Sequence, residues 1–235
     1  MWFRNNTEYK KKVKEYQEEL YSYGIQEVAL PGLSLEYWQD LVEAVEIMYK
    51  EFPILQNSIR RIRYFMHFFD IGNIRFLDQN NYTYEVFQTL NLNYLLKFKG
   101  LFKIVSNMII KSGSSLMCNV RYIVIHELAH ELEFLLTQKF YGIVFDDESV
   151  KRERTEALAG CFKRCEFIQL VLESAFGVKY IKKLPAIENC KYAFENSSEF
   201  MAEMLAIYFT AENPVEYSVK FYEGLKYTIR LYKLS

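Results

Sequence analysis

VRYIVIHELAHELEFLL, residues 120–136, decides how this chain is read. His126 and His130 stand four positions apart, so on a helix their rings lie one turn apart and can share a metal ion. Glu127, beside the first histidine, is placed to act as general base toward a metal-activated water. The chain has three histidines, and two of them are spent here. Ile125, Leu128, Leu132 and Leu135 recur at helical spacing and mark a core face. His126, Glu127 and His130 are expected on another side of the same helix. The bland alternative is a solvated helix with two chance histidines. So apolar a helix is instead the setting a metal motif needs.

Composition bounds the rest. At 235 residues the chain suits one large domain, or one domain with a helical extension. Its 29 basic and 30 acidic residues balance, so neither nucleic acid nor a membrane is expected as a partner. Hydrophobic residues make up 51% and aromatics 17%, which fits a globular chain with a large core. No apolar run approaches the roughly 20 residues that span a bilayer. The opening MWFRNNTEYKKK lacks the apolar centre of a signal peptide, so a cytoplasmic protein is expected. Among the four cysteines, Cys161 and Cys165 fall in register with Leu158, Ile168 and Leu172 and read as small core groups. Cys118 and Cys190 stand alone, and disulfides are not expected.

Val13, Tyr16 and Leu20 space a first helix between Asn6 and Tyr23. PGLS then breaks the chain, and Ser34 caps a second helix with the stripe Trp38, Leu41, Val42, Val45, Met48, Tyr49 and Phe52, stopped by Pro53. Leu55, Ile59 and Ile62 predict a third helical pattern. Residues 1–66 thus read as an N-terminal helical segment packed on a catalytic part, 67–235. Between Asp70 and Lys111, IGNIRFLD, YTYEVFQ, NYLLKFKG and FKIVSNMII are rich in β-branched and aromatic residues and predict a small, mostly antiparallel sheet. His67, in an aromatic run, reads as a packed core residue. SGSS (112–115) reads as a turn before the metal helix, and Asp147 to Phe176 as one long helix ended by Gly177.

A catalytic zinc held by two histidines needs a third protein ligand and keeps a fourth position for water. No histidine follows His130, so that ligand is a carboxylate or a cysteine. In IKKLPAIENCKYAFENSSEFMAEMLAIYFTAENP, residues 181–214, Glu199 and Glu203 lie four apart on a helix with Phe200, Met204 and Tyr208 on its apolar side. Glu195 lies on the same line one turn earlier. Asn196 to Glu199 also fits a capping box, in which Glu199 would bond back to the cap.

HELAH followed by Ser198-Glu199-Phe-Met-Ala-Glu203-Met-Leu-Ala-Ile-Tyr208-Phe resembles the metallopeptidase family of anthrax lethal factor and the clostridial Pro-Pro endopeptidases. That family's second motif reads approximately EFFAEAF. The resemblance covers roughly residues 100 to 225, including Asn213-Pro-Val-Glu-Tyr217, and is strong only at the two motifs. It implies an α+β, zincin-like metallopeptidase domain with a metal helix and a ligand helix, preceded by the N-terminal helices. It implies one Zn²⁺ per chain on His126, His130 and Glu199, with Glu203 supporting the ligands and Tyr192 assisting the transition state. The segment joining His130 to Glu199 is longer than the family pattern.

The expected function is a zinc-dependent endopeptidase acting on a peptide or protein substrate. Glu127 would move the proton, Tyr192 would donate to the oxyanion, and an edge strand would hold the peptide extended. The rivals are a non-catalytic zincin-fold binding or structural module, encoded by a mobile element, and a zinc hydrolase of a non-peptide substrate. An intact Glu127 speaks against the module, since a structural site has no use for a general base.

Overall fold

The computed structural model describes residues 7–65, 72–74, 89–116, 118–142, 166–187 and 190–234. Helix α1 (Thr7–Ser22) packs Leu20 into the core and lays Val13 and Tyr16 against it. Ser34 then accepts a hydrogen bond from the Tyr37 amide and starts α2 (Leu35–Glu51). The apolar stripe from Trp38 to Phe52 is buried as its spacing predicts. Pro53 ends the helix and opens a 3₁₀ turn, Pro53–Leu55.

Strands β1 (Glu27–Ala29), β2 (Arg61–Phe65), β3 (Gly72–Ile74) and β4 (Thr89–Asn93) form one sheet in the order β1-β2-β4-β3. β1 pairs with β2 and β2 with β4 in parallel, and β3 alone runs antiparallel, against β4. The sheet is therefore mostly parallel, which corrects the antiparallel expectation. α2 lies between β1 and β2 in the chain, and such a crossover returns the strand in the same direction. Residues 7–65 are not only helical, because they supply β1 and β2 to the sheet.

Two further expectations give way. Ile59 and Ile62 do not continue a helix: Asn57 takes a left-handed φ of 63°, and Ile62 enters β2. Its neighbours Arg61 and Arg63 point away from the core while Ile62 is buried, the period of two that a strand requires. NYLLKFKG and FKIVSNMII are not strands either. Tyr94–Lys97 is a 3₁₀ turn, and Phe102 to Ile110 lies inside α3 (Lys99–Lys111). YTYEVFQ, His67, Cys161, Cys165 and residues 147–165 fall outside the described residues.

Helix α4 (Val120–Tyr141) carries the histidine motif and is the centre of the packing. Asn119 caps it by accepting from the Tyr122 amide at 2.8 Å, and Gly142 closes it in the left-handed region with φ 63°. It touches α2, the 3₁₀ turn after α2, strand β3 and helix α6 (Ser197–Thr210). Val120, Ile123, Val124, Ile125, Leu128, Leu132 and Leu136 are buried, and so are His126 and Glu127. The helix is thus enclosed nearly all round rather than presenting a polar side. A helix over 166–176 (α5), which Gly177 ends with φ 69°, and α7 (Glu216–Leu231) complete the packing around α6.

Candidate metal centre

Contact between α4 and α6 builds the site. His126 and His130 face α6 from successive turns, with ring centroids 4.9 Å apart. Asn196 caps α6 by accepting from the Glu199 amide at 3.0 Å. The cap expected from Asn196-Ser-Ser-Glu199 is therefore present, but the Glu199 carboxylate turns to the histidines instead of the cap. Its Oε2 lies 3.2 Å from His126 Nε2 and 3.4 Å from His130 Nε2, and the two Nε2 atoms are 3.2 Å apart. His126, His130 and Glu199 thus form a group that can hold a metal ion. Glu195, one turn before, is exposed and stands outside it.

The triangle's size tests the fit. Donors bound tetrahedrally to one zinc at about 2.0–2.1 Å must lie about 3.3–3.4 Å from one another. The three separations match that spacing within about 0.2 Å. Glu199 Oε2 is also buried without a hydrogen bond in the protein, although buried carboxylate oxygens are rarely left so. Three donor atoms converge on one point, and a cation satisfies them together.

Each imidazole is backed by a carboxylate on its far side. His126 Nδ1 lies 3.2 Å from Glu203 Oε1, a close ionic contact more than an aligned hydrogen bond. Glu203 is 2% exposed, and its Oε2 accepts from the Tyr122 hydroxyl and, at 3.1 Å, from Ser115 Oγ. The Cys190 thiol stands 3.6 Å from the same oxygen. Burial and that carboxylate push the thiol up to about 12, and Cys190 stands outside the group whose atoms converge. His130 Nδ1 reaches Ser198 Oγ at 3.1 Å, and Ser198 in turn donates to Glu133. These contacts fix which ring nitrogen faces inward.

Charge in the pocket follows the same geometry. Burial would lower His126, but Glu199 and Glu203 outweigh it and hold the imidazole raised to about 10. His130 is raised likewise by Glu133 and Glu199 against burial. Burial would raise Glu199, and the two imidazoles hold it well below the usual carboxylate range. Protons and a metal ion therefore compete for the same ring nitrogens.

Glu127 is 7% exposed, and its charge is felt at His126, His130 and Tyr192. Tyr192 lies on the short turn Tyr192–Phe194 with its ring 6.0 Å from that of His126. The SGSS stretch positions it. The Lys191 and Tyr192 amides donate to Gly113 O at 3.1 Å and Ser114 O at 3.0 Å. Burial and the charges of Glu199, Glu195 and Glu127 raise the Tyr192 hydroxyl, which keeps its proton available as a donor.

All six expected residues, His126, Glu127, His130, Tyr192, Glu199 and Glu203, thus lie together. Sequence reasoning missed Ser115, Tyr122, Glu133 and Ser198. A usable signal existed for two of them: Glu133 is a carboxylate on an apolar helix one turn past His130, and Ser198 precedes the ligand carboxylate. No helix of the described residues is long and apolar enough to cross a membrane. Comparison with protein families, curated proteins and solved structures finds no match for this chain.

Proposed function

We propose that this chain is a zinc-dependent endopeptidase of the lethal-factor-like kind, with His126, His130 and Glu199 as ligands. The observation that carries the reading is the convergence of two Nε2 atoms and one carboxylate oxygen at 3.2–3.4 Å. Three protein ligands, not four, are what a catalytic zinc uses, since the open position admits water. When bound, zinc supplies Lewis acidity toward that water and the scissile carbonyl.

The chain's own residues supply the rest. Glu127 accepts the proton of the attacking water and returns it to the leaving amine. Tyr192 donates its hydroxyl proton to the carbonyl oxygen as charge develops there. Glu203, and Ser198 with Glu133, hold the two imidazoles in the tautomer that leaves Nε2 free to ligate. Strand β3 packs beside α4 and ends the described sheet, so a substrate peptide can add along it by backbone pairing. A non-catalytic module would not need a buried carboxylate at position 127.

Digestion of proline-rich and random peptide libraries, read by mass spectrometry, tests the proposal. Cleavage by the zinc-loaded chain, abolished by chelator and by Glu127→Gln, is expected. Full zinc occupancy with no cleavage of either library would point to the non-catalytic module.

A further inference from the structure

Helix α3 breaks the pattern set by the other helices. Phe102 and Ser106 bury one face of it, while Leu101, Ile104 and Met108 stand 46%, 59% and 64% exposed. Positions 101, 104 and 108 share one face over two turns, about 10 Å of helix. Phe98, 51% exposed, extends the ridge at its start. Four large apolar side chains exposed within eleven residues suit a contact surface.

The segment that carries the ridge is itself basic, and the carboxylates of α2 offset part of its charge. Between Glu85 and Glu127 the sequence contains no acidic residue, yet it holds Lys97, Lys99, Lys103, Lys111 and Arg121. The balanced net charge of the whole chain conceals this local excess. Lys99 pairs with Glu36, and Arg121 pairs with Asp40 and Glu43. Lys103 and Lys111 have no ion pair among the described residues, and Lys111 follows Met108 by one turn.

We propose that α3 docks this protein on an anionic lipid surface. Leu101, Ile104 and Met108 would enter the acyl boundary, and Lys103 and Lys111 would reach the phosphates beside them. An apolar helix face flanked by lysines, too short to span, is the composition of an interfacial helix. A protruding ridge needs no matching groove in a deformable bilayer, whereas a protein partner would have to supply one. Lysine stems add to the fit, because they lie along apolar surface while their amino groups stay at headgroup level. The inference does not depend on the metal centre, although the SGSS loop that follows α3 leads straight to Tyr192.

Co-sedimentation of the full chain with vesicles tests this. Vesicles of phosphatidylcholine alone are compared with vesicles containing phosphatidylglycerol. Partition onto the anionic vesicles only, weakening as salt rises, is expected. Ile104→Ser with Met108→Ser should lower it at least about tenfold. Lys103→Gln with Lys111→Gln should lower it about fivefold per lysine. Leu231→Ser, 55% exposed on α7, should leave it unchanged. Melting temperatures show that each variant folds, and the lysine pair decides the matter should the apolar pair unfold. No partition, equal partition onto both vesicle types, or partition that ignores both pairs overturns the proposal. So does a solution dimer that Ile104→Ser with Met108→Ser dissociates, for then a second copy covers the ridge.

Discussion

His126 and His130 occupy successive turns of one helix, yet the protein supports their rings by different means. On the His126 side the buried Glu203 stands 3.2 Å from Nδ1 and is itself held by Tyr122 and Ser115. On the His130 side a hydroxyl intervenes, with Ser198 at 3.1 Å and Glu133 behind it. A carboxylate against an imidazole makes the ring a stronger donor to a cation, whereas a hydroxyl mainly fixes its orientation. One half of the centre therefore has its carboxylate directly against the ring, and in the other the carboxylate acts mainly through a hydroxyl. Helix α6 serves both, since Ser198, Glu199 and Glu203 all belong to it.

The largest effect should come from removing a ligand, which ignores that difference. His126→Ala, His130→Ala and Glu199→Ala should each weaken zinc binding by more than the roughly 10–100-fold typical of lost supporting partners. Glu195→Ala should leave affinity unchanged. A chelator-competition titration measures all four, and metal loss in Glu195→Ala alone would shift the ligand assignment by one turn.

Glu127→Gln keeps shape and removes the base. Zinc binding should stay near that of the unaltered protein while turnover falls by about 10²–10⁴-fold. Comparable turnover by this variant would assign the proton transfer to another residue.

Tyr192 stands on the His126 side and should matter only as charge develops on the substrate. Tyr192→Phe should lower kcat by about 10²–10³-fold with KM and melting temperature little changed. A lowered melting temperature with unchanged kcat would make it a packing residue.

The smallest effects sharpen the contrast between the two halves. Glu203→Gln should cost about 10–100-fold in zinc affinity, and Ser198→Ala should fall at the low end of that range. Equal losses measured by the same titration would remove the distinction between a carboxylate placed directly on the ring and one relayed through a hydroxyl.

What could be read in advance followed the range of the interactions. HELAH is local: four residues set the ring spacing, so His126, Glu127 and His130 needed no tertiary knowledge. Glu199 and Glu203 came from their own four-residue spacing together with the family resemblance. Ser115 and Tyr122 meet Glu203 only because α4 and α6 cross, and no sequence interval announces that meeting. The sheet was misread for a related reason. Phe102, Ile104, Val105, Ile109 and Ile110 have the composition of a strand, but they form a helix whose apolar side is only partly covered. Thr89 to Asn93 forms a strand although asparagine is depleted in strands. In the fold Asn91 is buried and bonds Arg63 at 3.2 Å, and Asn93 caps the following turn at 2.8 Å.

X-ray absorption at the zinc edge of the purified chain, with metal content measured on the same sample, tests the metal centre most directly. We predict one zinc per chain, bound by two imidazole nitrogens and oxygen donors, with the second imidazole signal lost in His130→Ala. The result that contradicts the assignment is an absence of zinc after reconstitution, or a coordination sphere containing sulfur.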